Sequence, residues 1–484
     1  MSNQKSLKKN AFYSIVKAFM NLAFPLITFP YASRILNPDG IGKINFANSV
    51  VAFFVTLALL GTNTYATREA AKIRDDKEAL SLFTKEILII NIFSTAFAYI
   101  SFFVLIFIIP KFSAYTVLLL ICSLKIFFMI FGMDWLYTAT EEFKYITIRS
   151  IIFQIISLIF LFVFVHSEDD LYWYAMFGIF SAVGSNICNF INARRYVNFF
   201  QKGTLHIKRH LKPILIFFGM TIATNVYTVL DTTMLGFLTN DTEIGYYSAA
   251  TKIVKMVIGV LTAISVVLLP RLSYHAEKEQ FSAFSSLIEK SIIIFWMLSI
   301  PMCAGLFLLA KPILLLFSGG TFIEALVPMR IIAPIIVIIS TASLLGSPLS
   351  ALRKEKISLI AVIIGAVTNF ICNLILISKF GAKGAAIGTV IAETSVMIFQ
   401  ALFLLKYIVT KNVIANTLQI FFATAIMSLC VYFLKGISQN LFLQIGISTL
   451  GGIFFYAIVL LLLKNIYFCD LLKKVLCQIR MKGK

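Results

Sequence analysis

The sequence predicts an all-α integral membrane protein of about 14 transmembrane helices. Three observations carry that prediction: an apolar composition, apolar runs of bilayer length, and a lopsided distribution of Lys and Arg. The 484 residues are 60% hydrophobic and only 13% charged, with 47 Phe and a mean hydropathy of +0.92. A soluble chain of this length carries roughly a quarter charged residues. Most of the surface must therefore face lipid. The longest polar stretches, such as NARRYVNFFQKGTLHIKRHLK, run to about twenty residues, which leaves no room for a separate soluble domain.

Apolar runs of about 20 residues are long enough to cross hydrocarbon. Their cores fall at 11–32, 43–62, 86–109, 114–137, 147–165, 171–192, 213–238, 245–268, 291–310, 325–350, 358–377, 384–406, 413–434 and 442–463. These runs are too long for barrel strands, and irregular chain cannot cross lipid with its backbone groups unpaired. The basic N-terminus followed by an apolar run superficially suits a signal peptide. It lacks a small-x-small cleavage site and carries Lys17 inside the run, so it reads as an uncleaved first helix. The seven Cys form no CxxC pair and lie mostly in apolar runs. They read as small buried hydrophobes, with no disulfide framework or metal site.

Orientation follows from the basic residues. With a cytosolic N-terminus and fourteen crossings, the cytosolic segments hold 30 of the 42 Lys and Arg, and the outer loops hold seven. This places both termini in the cytosol. It also accounts for the net charge of +20 by contact with an anionic membrane leaflet, with no need for nucleic acid.

One corner occurs twice. SRILNPDGIGKINFANSV (33–50) and MLGFLTNDTEIGYYSAATKIV (234–254) share an apolar pair, a polar tip, Ile-Gly and a run of small residues. Aligning Gly42 with Gly245 also aligns LLGTNTYATRE (59–69) with LLPRLSYHAEK (268–278). Six spans separate the corners. An even number makes the halves point the same way: two parallel six-helix lobes around a central cavity, a common transporter plan. The expected domains are an N-terminal lobe at 1–200, a C-terminal lobe at 201–410, and two further spans with a basic tail at 411–484. Both glycines are expected to close outer turns, with Asp39 and Asp241 as turn-forming or capping residues.

FPLITFPYASRILNPDGIGKINFANSVVAFF with LLGTNTYATREAAKIRDDK resembles the opening of Wzx-type polysaccharide flippases. That superfamily also contains the MATE drug exporters and the lipid II flippases. GMDWLYTATEEFKYITIRS (132–150), DTTMLGFLTNDTEIGYYSAATKI (231–253), VLLPRLS (267–273) and KFGAKGAAIGTVIAE (379–393) follow in the family's order. The resemblance covers about residues 8 to 400 and includes no catalytic signature. It implies a bacterial inner-membrane protein that translocates an undecaprenyl-diphosphate-linked oligosaccharide repeat unit, in contact with membrane lipid and with the polymerase and chain-length proteins of the same pathway.

Ionisable residues inside spans are costly and are functional candidates by default. Lys252 and Lys255, three residues apart, share a helix face. Asp231 lies at similar depth on the preceding span, so it either pairs with one of them or leaves both to the cavity. Lys125, roughly 15 Å from its nearest helix end, should face water or an acid. Lys17 either snorkels to the cytosolic surface or faces the cavity. Arg34 and Arg330 lie near outer ends. Glu393 is mid-span, with Glu324 near the outer mouth; a deep Glu titrates with a proton, helps hold Na⁺, or neutralises a lysine. Bases outnumber acids within the spans, which suits a diphosphate better than an organic cation. Trp135 and Tyr137 read as interface anchors or as a sugar platform. His206 and His210 read as part of a solvated basic patch.

The chain has no GxxxxGK[ST] motif. No cofactor is expected, and the drive is an H⁺ or Na⁺ gradient, the membrane potential, or consumption of the product outside. Pro25 and Pro30 interrupt the first helix, as a flexing point or as a static kink. Two rival functions share parts of this pattern. A small-molecule exporter would use the same fold with a cavity of opposite sign. A membrane polymerase would need a large outer loop carrying acid and base groups, and the outer loops here are short.

Overall fold

An α-helix satisfies its own backbone hydrogen bonds, so a chain this apolar folds into helices and, among the described residues, forms no strand. The computed structural model describes residues 7–265, 269–405 and 411–473. Its contacts define two compact units, Met1–Gly245 and Tyr246–Lys484. By length and apolarity, eleven helical segments among the described residues can cross a bilayer, or thirteen if each of two bent pairs is one span. That count does not confirm the expected fourteen. The longest segment, Lys9–Lys72, runs 64 residues. Straight, it would be about 96 Å long, some three times the hydrocarbon thickness.

The first unit contains α1 (Leu7–Leu59), α2 (Thr62–Lys72), α3 (Lys77–Ile108), α4 (Thr116–Met129), α5 (Asp134–Ala139), α6 (Phe143–Phe164), α7 (Leu171–Ile179), α8 (Asn186–Ala193) and α9 (Lys208–Leu238). Helix α10 (Asp241–Ser265) begins in it. Helix α1 packs against α3, α4, α6 and α9. It is two helices hinged at Asn37, whose φ of 56° and ψ of 177° lie outside the helical region. This is a backbone conformation that side chains rarely adopt. The Asn37 amide donates to Glu168 Oε1 at 2.5 Å, and Pro38 starts the second helix. Helical geometry continues through Pro25 and Pro30, so the break falls at the corner and not at the prolines.

The second unit contains α11 (Leu269–Glu277), α12 (Phe281–Leu308), α13 (Ala310–Ser318), α14 (Leu326–Ile332), α15 (Ile335–Ala351), α16 (Glu355–Phe380) and α17 (Ala382–Leu402). The last two spans, Lys411–Leu434 and Leu441–Leu462, pack against each other and join the same core as α12 and α15. Tyr456 donates to the Met297 carbonyl at 2.8 Å, and the buried Asn465 donates to Asn416 and Gln419. These spans therefore belong to the body of the second unit.

The two corners of the repeat meet. Gly42 and Gly245 lie inside the helices that follow the turns, not in the turns themselves. A Cβ on Gly42 would lie 1.7 Å from the Asp241 carbonyl oxygen, and one on Gly245 would lie 2.0 Å from the Pro38 carbonyl oxygen. Each corner thus rests its glycine on the backbone of the other. Asn240 caps α10 by accepting from Glu243 N at 3.0 Å. Asp241 instead accepts from Tyr115 at 2.6 Å, and Asp39 pairs with Lys43 at 2.6 Å. The Lys111 ammonium donates to the Gly236 and Thr239 carbonyls at the end of α9, where a cation complements the helix dipole. Overpacking by a methyl costs about 1–3 kcal/mol. Gly42→Ala and Gly245→Ala should each lower the melting temperature of the detergent-purified protein. Gly178→Ala, where nothing lies within 4 Å, should leave it unchanged or raised.

Candidate functional site

Buried charge in the first unit is concentrated at two centres, both near the end that carries the loops at 73–76, 140–142 and 194–207. The first is built on Asp134. Gly132 and Met133, the latter at φ 37°, turn the chain out of α4 into the six-residue α5. Asn189 on α8, fully buried, donates to the Gly132 carbonyl and, at 2.7 Å, to Asp134 Oδ1. That amide fixes both the turn and the carboxylate. Arg149 on α6 donates through Nη2 to Oδ1 at 3.1 Å, and Lys17 on α1 reaches Oδ2 at 3.4 Å. The Arg149 side chain is 8% exposed, that of Lys17 27% and that of Asp134 44%.

The same α1 face continues as a polar seam. Thr147 donates to the Tyr13 carbonyl at 3.1 Å and Gln154 to Asn21 Oδ1 at 2.9 Å. Residues 13, 17 and 21 are four apart, the spacing that keeps side chains on one helix face. Lys125 on α4 donates to Asn48 Oδ1. Its recorded partner is therefore an amide on α1, where water or an acid was expected.

The second centre is built on Glu86 of α3, whose side chain is 1% exposed. It accepts from the His206 backbone at 2.5 Å and from Arg209 Nη2 at 2.8 Å, and lies 2.7 Å from His210 Nε2. His210 is 2% exposed, and its Nδ1 lies 2.7 Å from the Tyr65 hydroxyl. His206 is exposed as expected, but His210 is buried against the expectation of a solvated patch. A buried carboxylate needs every oxygen partnered, and this one recruits the start of α9 to do so. Trp135 and Tyr137, read as surface residues, are also buried in this core, at 4% and 0% exposure. Helix α5 packs against α2, with Trp135 edge-on to Phe83 and Tyr137 against Tyr145 and Tyr196.

The remaining candidates are spread through the chain. Arg34 is exposed and donates to the Pro30 carbonyl at 2.7 Å. Asp231 is 7% exposed on α9. On α10, Lys252 is half-buried and Lys255 exposed. Arg330 lies in the last turn of α14, with its guanidinium 5.4 Å from the centre of the Phe307 ring. Glu393 is half-buried on α17, and Glu324 is exposed. Arg149 is the residue sequence reading missed. At the very start of its span it counted among the cytosolic basic residues, and only an amphipathic reading of α6 could have singled it out.

Long apolar helices with partnered charge seamed between them define a multi-helix membrane protein. The chain belongs to the family of polysaccharide biosynthesis proteins, which matches residues 7–276, and it also matches the MatE family over residues 217–375. It is 24% identical over 416 residues to an Escherichia coli (strain K12) protein named "Putative O-antigen transporter", covering 83% of this chain and 97% of that one. It is 20% identical over 185 residues to the lipid II flippase MurJ of Bacillus subtilis (strain 168), covering 37% of this chain and 34% of that one. A solved structure of lipid II flippase MurJ in an inward closed conformation superposes with a TM-score of 0.77 at 20% identity, over 96% of this chain and 100% of that one. An inward-facing multidrug resistance MATE family transporter gives 0.59 at 14% identity, over 82% and 98%. The fold is that shared by these transporters.

Removing one partner of a buried ion pair costs about 3–5 kcal/mol. Glu86→Gln and His210→Ala should each destabilise the purified protein on that scale in thermal unfolding. Lys77→Ala, at an exposed position, should change it by less than about 0.5 kcal/mol.

Proposed function

We propose that the protein translocates an undecaprenyl-diphosphate-linked oligosaccharide repeat unit from the cytoplasmic to the outer leaflet of a bacterial inner membrane. It works by alternating access of a cationic cavity coupled to an H⁺ or Na⁺ gradient. The observation that carries the reading is the match with the O-antigen transporter relative, which spans 97% of that protein's length. The site chemistry supports it. In the first unit two bases face one acid at the Asp134 centre and Lys125 adds positive charge, and the second unit carries Lys255; a diphosphate needs such partners once it leaves water. Both termini lie in the cytosol, so the Asp134 centre stands at the entry side for a cytosolic substrate.

An apolar cleft of about 650 Å³ in the second unit supports the lipid half of the substrate. It lies between α12, α13 and the last two spans, with Met297, Pro301, Met302, Gly452 and Tyr456 among its lining. A prenyl tail is the ligand such a surface suits, and it leaves only the polar head for the wet route. The MatE match over 217–375 favours a second reading, a small-molecule exporter. The two differ in the sign of charge they carry.

One charge-assisted contact is worth roughly tenfold in affinity or more. Lys125→Ala and Lys255→Ala should each cut surface polysaccharide by about that factor while membrane levels of the protein stay normal. Cells lacking the protein should accumulate the lipid-linked repeat unit. Wild-type glycan display in both variants would refute the cationic route, and transport of an organic cation by the purified protein would favour the exporter.

A further inference from the structure

Two cations share one carboxylate at the end of the first unit. Asp134 Oδ1 takes Arg149 Nη2 at 3.1 Å and Asn189 Nδ2 at 2.7 Å, and Oδ2 takes Lys17 Nζ at 3.4 Å. The Arg149 contact is end-on, through a single nitrogen. Its Nε and Nη1 are buried and have no hydrogen-bond partner among the described residues. A guanidinium that presents five donors in a fixed fork is therefore only partly used, although its side chain is nine-tenths buried. The Tyr145 ring flanks it, 5.9 Å from the guanidinium carbon to the ring centre. The Lys17 contact is long for an ammonium–carboxylate bond. Of the three charged side chains, Asp134 is the most exposed, at 44%.

We propose that Asp134 is a built-in placeholder for the anionic group of the transported molecule. A phosphate ester enters from the exposed side, takes Lys17 and the open donors of Arg149, and displaces the Asp134 carboxylate. On release the carboxylate returns. The scheme keeps the buried guanidinium paired in both states, which spares it the penalty of an uncompensated buried charge. It also sets affinity as a difference between two anions, so the ligand is held firmly enough to enter and loosely enough to leave. Asn189 keeps its bond to the Gly132 carbonyl throughout, which holds the turn while the carboxylate moves. The inference rests on the function proposed above only for the identity of the anion.

The test uses full-length protein in detergent, with inorganic pyrophosphate as probe. Asp134→Asn should bind pyrophosphate about tenfold tighter than wild type, a shift of one logarithmic unit in Kd. Adding Lys17→Ala or Arg149→Lys to Asp134→Asn should abolish the gain. Unchanged or weaker binding by Asp134→Asn overturns the proposal. Wild-type protein supplies a second measurement that no folding defect can blur. Pyrophosphate should increase labelling of the Asp134 carboxylate by a water-soluble carbodiimide, read by peptide mass spectrometry. Unchanged or reduced labelling overturns the placeholder role. If both results hold but cells lacking the protein accumulate no lipid-linked intermediate, the placeholder stands and the flippase reading falls. If the intermediate accumulates and the pyrophosphate results fail, the reverse holds.

Discussion

A polar group that leaves water for hydrocarbon must bring its partner with it. That constraint organises the whole molecule. It makes every crossing helical, because only a helix pairs its own backbone within one segment. It also confines chemistry to seams between helices, where side chains can satisfy one another. Along α1, positions 13, 17 and 21 meet Thr147, the Asp134 centre and Gln154 in succession.

The two charged centres of the first unit solve the same problem with opposite results. Glu86 is saturated: its oxygens have three nitrogen partners, its side chain is 1% exposed, and it joins α3 to the start of α9. Such a group is architecture. Asp134 is partly open to its surroundings, faces an excess of positive charge, and leaves two nitrogens of Arg149 without a hydrogen-bond partner among the described residues. Such a group has chemistry to spare. Both carboxylates take three nitrogen partners, so the difference lies in their exposure and in the donors left open around Asp134.

The repeated corner shows how a backbone contact can demand a residue type at two distant positions. Gly42 and Gly245 occupy equivalent places in sequence because each rests on the other corner's backbone. Polar bonds from Tyr115 and Lys111 close around the contact and hold the end of α9 and the start of α10 against the first unit. The sequence echo is thus the trace of a reciprocal packing.

Composition and apolar periodicity by themselves determined that this chain is a membrane-spanning helical protein, because the transfer of apolar surface and the pairing of the backbone depend on local sequence alone. The family was legible too, since its motifs run in order along most of the chain. The partners of the buried charges were not. Lys17 and Asp134 are 117 residues apart, and Glu86 and His210 are 124 apart. Nothing local marks either pair. Arg149 could not be told from a loop arginine by its position at a span's start, and His210 could not be told from its exposed neighbour His206. Trp135 and Tyr137 likewise showed the composition of surface anchors while folding into the core. Which charged side chains are paired, buried or left with open donors was decided only when the helices packed, because burial and partnership depend on which faces meet across the fold.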